Sequence, residues 1–421
     1  MLNIEKNDIT ILGAGPVGLI AAHALSDRGI EYALLESSPK SHSHSYALAL
    51  HPETLNLLES LGLADEILKV ARRIKSIAIY SGNHRKATLD YSHLKTKYPF
   101  LSVIGQAELE SILIHSLQRK GKHVNWLHRV RYIEPQANPL KITVTRCIES
   151  ITSNYAMGHP GIPLNQLIEY NSQYLIGADG LQSIARQSAG INFNQIAPPK
   201  NYAFFDCKSP SEYPDEMCLV LNNGQTHMFW PMSHGLCRWS FELDEGKFPF
   251  ESKNIDPSAP EKTTPRFPQL NQDHLEALIK EHAPWFCGTI DSIPWRMIVK
   301  FERRLAACFG SDRIWLAGDA AHACPPAGVL SMNIGMREAY DLAQRLASGP
   351  SDQARAAALS TYNQARKHVW TQLLNLQNEY NDSDCSDPWL RENKKLLIGN
   401  IPATGETLSA LLAQIEMNIA A

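Results

Sequence analysis

Three glycines at positions 13, 15 and 18, with Pro16 and Val17 among them, stand in the spacing that lets a chain turn sharply and offer bare backbone amides to an anion. In that spacing Gly13 permits the turn, Gly15 admits a pyrophosphate close to the backbone, and Gly18 lets a helix pack on a strand. An acid follows at Glu36, eighteen residues after Gly18, where a carboxylate can accept from ribose hydroxyls. These residue types point to a dinucleotide, and Glu36 does not by itself separate FAD from NAD. Two further acid and glycine pairs, Asp179-Gly180 and Gly318-Asp319, stand far downstream.

The flanking residues say which elements must hold these groups. Ile9 to Leu12 is a short apolar run with β-branched residues, Ala21 to Leu25 continues a good helix former, and Tyr32 to Leu35 is a second apolar run. The order predicted is strand, glycine turn, helix, strand, acid. Tyr174 to Arg186, YLIGADGLQSIAR, carries another apolar strand into Asp179-Gly180, and RIWLAGD delivers Gly318 and Asp319 in the same way. Open α/β sheets bind ligands at such strand ends.

Composition narrows the function classes. The chain has 421 residues and a formal charge of −3, without a basic footprint for nucleic acid. Its eight cysteines form no CxxC pair, so no metal set is expected and a reducing, cytoplasmic setting fits. No stretch approaches the roughly 18 apolar residues of a membrane span. Small-molecule chemistry is the expectation.

The combined motifs resemble the flavoprotein aromatic hydroxylases, the para-hydroxybenzoate hydroxylase-like family of FAD-dependent monooxygenases. The likeness runs from residue 8 to about 370. It also includes ALALHPETLNLLESLGL from Ala47, IGQAELESIL around Gln106, and CRWSFEL around Arg238. The resemblance implies one FAD touched by three separated segments: GAGPVG with Glu36 at the ADP half, Asp179 shared with the nicotinamide cofactor, and Gly318-Asp319 at the ribityl chain. It further implies Gln106 at the ribityl or phosphate region and Arg238 close to the flavin. Pro325, Pro326, Ala327 and Gly328 would wall the flavin ring, with Met332 and Asn333 offering backbone amides to its pyrimidine oxygen. Arg238 and Pro326 are the residues given a catalytic role. The activity implied is hydroxylation of a phenol, quinone or polyketide-like substrate with NADH or NADPH and dioxygen, through a flavin hydroperoxide. The alternative is a flavin oxidoreductase of the same fold that inserts no oxygen. Two sites depart from the family pattern. Tyr46 stands where relatives usually carry Arg, and Val329, Leu330 and Ser331 replace residues that are usually glycine or small.

The fold class expected is α/β: a Rossmann-like FAD-binding domain (1–75, 101–190, 297–345), an inserted antiparallel-sheet substrate domain (76–100, 191–296) and a C-terminal helical segment (346–421). The insert is read from strand formers at 202–207, 217–221, 226–230 and 238–243, with Asn223-Gly224 as a hairpin turn. Trp239, Phe241 and Leu243 alternate with Arg238, Ser240 and Glu242, so Arg238 belongs to a polar face, where a surface role and a site role are equally open. His322, beside three alanines, reads as structural. The Pro-rich stretch 256–268 reads as a surface loop.

Overall fold

The computed structural model describes residues 3–41, 48–148, 164–210, 213, 215–244, 270–348, 351–374 and 385–417. Tyr46 and the Pro-rich stretch 256–268 lie outside the described residues.

The apolar run at the N-terminus forms the strand Asn3–Leu12, whose last four residues are buried, and Pro16 opens the helix Pro16–Ser26. Pro suits that first position because its missing N–H would lack an intrahelical acceptor anyway. The strand pairs in parallel with Tyr32–Leu35 on one side and Leu164–Gly177 on the other, and Leu164–Gly177 pairs in parallel with Ile314–Leu316. Antiparallel strands Gly310–Ser311, Leu140–Ile148 and His128–Glu134 complete a seven-stranded sheet. Register then decides what meets at its edge. Leu12 is level with Leu35 and Gly177, and Gly177 with Leu316. The next residues, Gly13, Glu36, Ala178 and Ala317, therefore leave the sheet side by side.

A second sheet has eight strands. In order they are His322–Ala323, Ser292–Ala306, Phe193–Lys208, Leu236–Leu243, Gln225–Pro231, Met217–Asn222, Ser76–Ser81 and His84–Asp90. Neighbours are antiparallel except Met217–Asn222 with Ser76–Ser81, which run parallel. Asn223 and Gly224 both take positive φ, 50° and 77°, the geometry of a tight hairpin turn. Ser292–Ala306 continues through position 297, so the boundary placed there falls inside a strand.

Both faces of this sheet are covered. Phe205, Phe229, Trp239 and Phe241 pack with Leu275 and Ile279 of the helix Gln272–His282. Tyr202, Phe204, Met228 and Trp230, on the other face, join a cluster with Ala327, Val329, Leu397, Ile401, Leu411 and Leu412. The C-terminal helices Lys394–Asn400 and Gly405–Ala413 thus close over the face that carries Arg238. Tyr91 Oη donates to the Pro402 carbonyl at 2.8 Å and fixes that cover to the strand region. The alternation read along 238–243 is present, but its polar side is buried: Arg238 is 4% exposed and Ser240 1%. A surface role for Arg238 is therefore excluded, because alternation separates two faces without saying what covers them.

Candidate active site

The first turn shows why its glycines differ. Gly13 has φ +94°, and a Cβ there would lie 2.3 Å from the Ala178 carbonyl oxygen. A Cβ on Gly18 would lie 1.9 Å from the Gly13 oxygen. Both glycines are demanded by packing. Around Gly15 a Cβ would meet nothing within 4 Å, so this position faces open space at the N-terminus of an eleven-residue helix. No side chain caps that helix, and its first N–H groups point to the same space. Glu36 accepts from the Ala14 N–H at 2.9 Å through Oε2 and from the Ser38 N–H at 2.8 Å through Oε1. These bonds hold its carboxylate against the glycine turn.

Asp179 accepts from the Ile184 and Ala185 N–H groups at 2.7 and 3.1 Å and so caps the helix Ile184–Ser188. Its Oδ1 is buried without a hydrogen-bond partner, and burial pushes the carboxyl above its ordinary range. Arg186, given no role by its sequence, ties this turn to the next. It donates to the Ala320 carbonyl at 2.8 Å and the Leu181 carbonyl at 2.9 Å, with its guanidinium 4.0 Å from the Phe193 ring centre.

Gly318 has φ +65°, and a Cβ there would sit 2.8 Å from Val17 Cγ2, so the third turn packs directly on the first helix. Gly335 approaches the same two residues from the helix Leu330–Ala347. Val17 thus serves by fitting between two glycines. Asp319 is exposed beside this junction and its Oδ1 accepts from the Ser331 hydroxyl. Beneath it, Glu338 is fully buried and accepts from the Gly318 N–H at 3.0 Å, His322 Nε2 at 2.7 Å and Trp370 Nε1 at 2.7 Å. Burial alone would raise its pKa, but the His322 ring and these donors hold it below the ordinary value. His322 is stacked on Trp370 at 3.7 Å between ring centres and is structural. Nothing in the local spacing marks Glu338 or Trp370 beforehand.

The segment from Pro325 to Asn333 is held by side chains on both sides. Pro325 and Pro326 are half-buried, Gly328 is buried, and Val329 takes left-handed backbone, φ 49° and ψ 34°, at the N-cap of Leu330–Ala347. Helix geometry leaves the N–H groups of Leu330, Ser331 and Met332 without intrahelical acceptors. Met332 is thus the last residue of this helix whose N–H has no intrahelical acceptor. Asn333 lies one residue too deep for that and works through its side chain instead. Its Oδ1 accepts from the His51 N–H at 2.9 Å, and its Nδ2 donates to the carbonyls of Ala49 and Val329 at 2.9 and 2.8 Å. His51 Nε2 donates to the Gly328 carbonyl at 2.9 Å, because a carbonyl can only accept, and burial lowers its pKa to about 3. His51 escapes a sequence reading, since only the fold brings residue 51 to residue 328.

Gln106 opens the helix Gln106–Arg119, and its amide donates to Glu110 Oε1 at 2.7 Å. The preceding strand Leu101–Val103 pairs with Ala49–Leu50, which places this helix start beside the segment that Asn333 holds. Arg238 lies in the other sheet. Its Nε and Nη2 donate to the two oxygens of Asp206 at 2.5 and 2.9 Å, and its guanidinium is 4.9 Å from the Trp295 ring centre. The glycine turn, Glu36, Asp179 and Gly318-Asp319 therefore share one sheet edge. Pro326, Gly328 and Met332 occupy the neighbouring helix start, and Arg238 belongs to the sheet packed opposite.

The residues fit an extended dinucleotide: an open cradle at Gly15, an orphaned buried oxygen on Asp179, an exposed acid at Asp319 and free helix N-termini at both ends. The profile of the FAD binding domain family matches residues 6–377. Pentachlorophenol 4-monooxygenase of Sphingobium chlorophenolicum is 24% identical, over 87% of this chain and 63% of its own length. The chain thus spans less than two thirds of that relative. Para-nitrophenol 4-monooxygenase of a Pseudomonas species is 26% identical, over 86% of this chain and 83% of its own. The crystal structure of p-nitrophenol 4-monooxygenase from Pseudomonas putida superposes with a TM-score of 0.72 at 20% identity, covering 100% of both chains.

Proposed function

Because the chain belongs to the FAD binding domain family, we propose that it is a FAD-dependent monooxygenase that uses NADH or NADPH and dioxygen to hydroxylate a small aromatic substrate. On this reading the seven-stranded sheet with its helices is a Rossmann-like FAD-binding domain, and the eight-stranded sheet is an inserted substrate domain. The same reading places the protein in the cytoplasm. Relatives named for pentachlorophenol and para-nitrophenol support a phenolic substrate.

The observation that carries the reading is the convergence of Gly13, Glu36, Ala178 and Ala317 at one sheet edge, with Gly15 open in front of them. When bound there, FAD would supply electron transfer from the nicotinamide to dioxygen and delivery of one oxygen atom to the ring. The chain's own task is to bind and orient. The helix N-terminus after Gly15 would take the pyrophosphate, Glu36 a ribose hydroxyl, and Asp319 a hydroxyl of the linking chain. The N–H groups of Leu330 and Met332 at this helix start would donate to the flavin's pyrimidine oxygen and favour negative charge there. Ala327 packs with residues of the eight-stranded sheet, and Pro325 and Pro326 before it would give the flavin a rigid wall. Arg238, neutralised by Asp206, positions Trp295 and the sheet around it.

The test is a purified preparation examined for a flavin spectrum, reduced anaerobically with NADH and with NADPH, then turned over with phenols under labelled dioxygen. Label in the product supports the reading. Substrate oxidation without label identifies the oxidoreductase alternative, and protein that binds no FAD defeats both.

A further inference from the structure

One hydrogen bond decides where the helix Leu330–Ala347 begins. We infer that His51 is a positioning residue: by engaging the Gly328 carbonyl it keeps that oxygen from accepting the Met332 N–H, and so leaves this donor open for the cofactor. This rests on the monooxygenase reading for the identity of the acceptor alone.

An α-helix pairs each N–H with the carbonyl four residues earlier, so starting this helix one residue sooner would join the Met332 N–H to the Gly328 carbonyl. Two features of the loop stop that. Val329 holds left-handed backbone, φ 49°, and its N–H donates to the Pro326 carbonyl at 3.0 Å. The Gly328 carbonyl is already taken by His51 Nε2 at 2.9 Å. Turning the Gly328–Val329 peptide over would return Val329 to the negative φ that L-residues favour, and glycine at 328 accepts either orientation. Backbone preference therefore favours the longer helix, and His51 opposes it. With the His51 donor removed, the buried Gly328 oxygen lacks a partner until the peptide turns and meets the Met332 N–H.

The donor itself is rigidly placed. His51 is the N-cap of the helix Pro52–Ser60, and its carbonyl accepts from the Thr54 and Leu55 N–H groups, both at 3.0 Å. Its own N–H donates to Asn333 Oδ1 at 2.9 Å, and Asn333 Nδ2 holds the Val329 carbonyl at 2.8 Å. The two ends of the contact are thus braced by one side chain. The ring is fully buried, and burial, with the Arg337 charge nearby, lowers its pKa to about 3. A neutral imidazole carries a single N–H. That proton sits on Nε2, which faces a carbonyl, while Nδ1 is buried without a partner. The one donor of this ring is spent on Gly328.

The experiment uses the full-length chain as wild type, His51→Leu and His51→Gln, each combined with Val329→Gly and with Val329→Ala. Denaturant midpoints without FAD should place the Gly variant above the Ala variant in wild type and in His51→Gln, because left-handed backbone favours glycine. In His51→Leu the order should reverse, because residue 329 has joined the helix. His51→Phe, which also lacks a donor, replaces His51→Leu if that protein does not fold. With [15N]methionine labelling, the Met332 amide should exchange about tenfold or more slowly in His51→Leu than in wild type. Loaded with FAD, His51→Leu should lower the flavin midpoint potential by about 30 mV, a tenfold loss of preference for the reduced form, and His51→Gln should recover most of it. Ala above Gly in wild type overturns the inference, as does Gly above Ala in the donor-less variant. A reversed order in His51→Gln overturns it too, since ring shape rather than donation would then hold the peptide. A reversed order in His51→Leu with an unchanged potential also overturns it, because the Met332 N–H would not face the flavin. Wild-type protein that takes up no FAD yet gives the expected orders supports the hold on Gly328 and defeats the monooxygenase reading.

Discussion

The Ser331 hydroxyl donates to the Asp319 carboxylate and thereby joins the last sheet-edge turn to the first turn of the helix Leu330–Ala347. A carboxylate can accept several hydrogen bonds, so Ser331 orients Asp319 and leaves acceptor capacity toward the open side. If Asp319 holds the cofactor as proposed, Asp319→Ala would remove a charge-assisted contact and should weaken FAD about tenfold to a hundredfold. Ser331→Ala should cost only about two- to fivefold, since the charge remains and only its orientation relaxes. Equilibrium dialysis of FAD against both variants checks the order. Tighter FAD in Ser331→Ala would show that Ser331 competes with the cofactor.

The glycine turn makes a sharper distinction. A Cβ at position 15 meets nothing, while one at position 18 would sit 1.9 Å from a backbone oxygen. Gly18→Ala should destabilise the protein by about 3 kcal/mol or more, because backbone cannot yield as a flexible side chain does. Gly15→Val should unfold at nearly the wild-type temperature when both proteins are stripped of FAD, yet bind FAD poorly. Urea titration with and without added FAD measures both. A large stability loss for Gly15→Val without FAD would mean that the space serves packing.

The three sheet-edge turns were legible because backbone geometry demands their residue types: positive φ and close approach leave glycine at 13 and 318, and register aligns the residues next after each strand. The antiparallel run of the eight-stranded sheet was legible from its strand formers and the Asn223-Gly224 turn, whereas the parallel pairing of Met217–Asn222 with Ser76–Ser81 was not. Arg238 was only half legible. Alternation put it opposite Trp239, but the helices that bury it begin more than 150 residues later. The Glu338, His322 and Trp370 network left no local signal, because its members come from a short strand and two helices and meet only after packing. His51 and Asn333, 282 residues apart, are the same case.

Val329 stores strain that its neighbours offset. A β-branched residue at φ 49° is disfavoured by about 1–2 kcal/mol, while its side chain, 7% exposed, packs with Ala327 and Ile401. Val329→Ala loses the packing and keeps part of the strain. Val329→Gly loses the same packing and releases the strain, so it should be about 1 kcal/mol more stable than the Ala variant. Inside a helix the order is reversed. Denaturant midpoints for the two variants decide the matter, and Ala above Gly would contradict the left-handed conformation.

Acidification should act through buried histidines before it acts through carboxylates. Burial lowers His51 to about 3, His23 to about 4 and His227 to about 2. Unfolded histidines protonate near pH 6.5, so below that pH the unfolded chain binds protons that the folded chain refuses. The stability from keeping these rings neutral is full above about pH 6.5 and is lost as pH falls toward the folded values. Each ring contributes a slope of at most about 1.4 kcal/mol per pH unit in that window. Glu338, whose pKa is lowered, adds to the loss only below its unfolded value near 4.5, and Asp179, whose pKa is raised, opposes it as pH falls through its raised folded value. The difference between wild type and a single histidine variant isolates that ring from both carboxyls. His51→Gln keeps a donor for the Gly328 carbonyl without a titrating ring. Its unfolding free energy at pH 7 should fall by about 1–2 kcal/mol through imperfect packing, but its decline from pH 6.5 to 5 should be shallower than wild type by up to one proton's slope. Urea unfolding at half-unit pH steps measures both. Parallel curves for the two proteins would mean that His51 takes up a proton in the folded state, and that its bond to Gly328 survives ionisation.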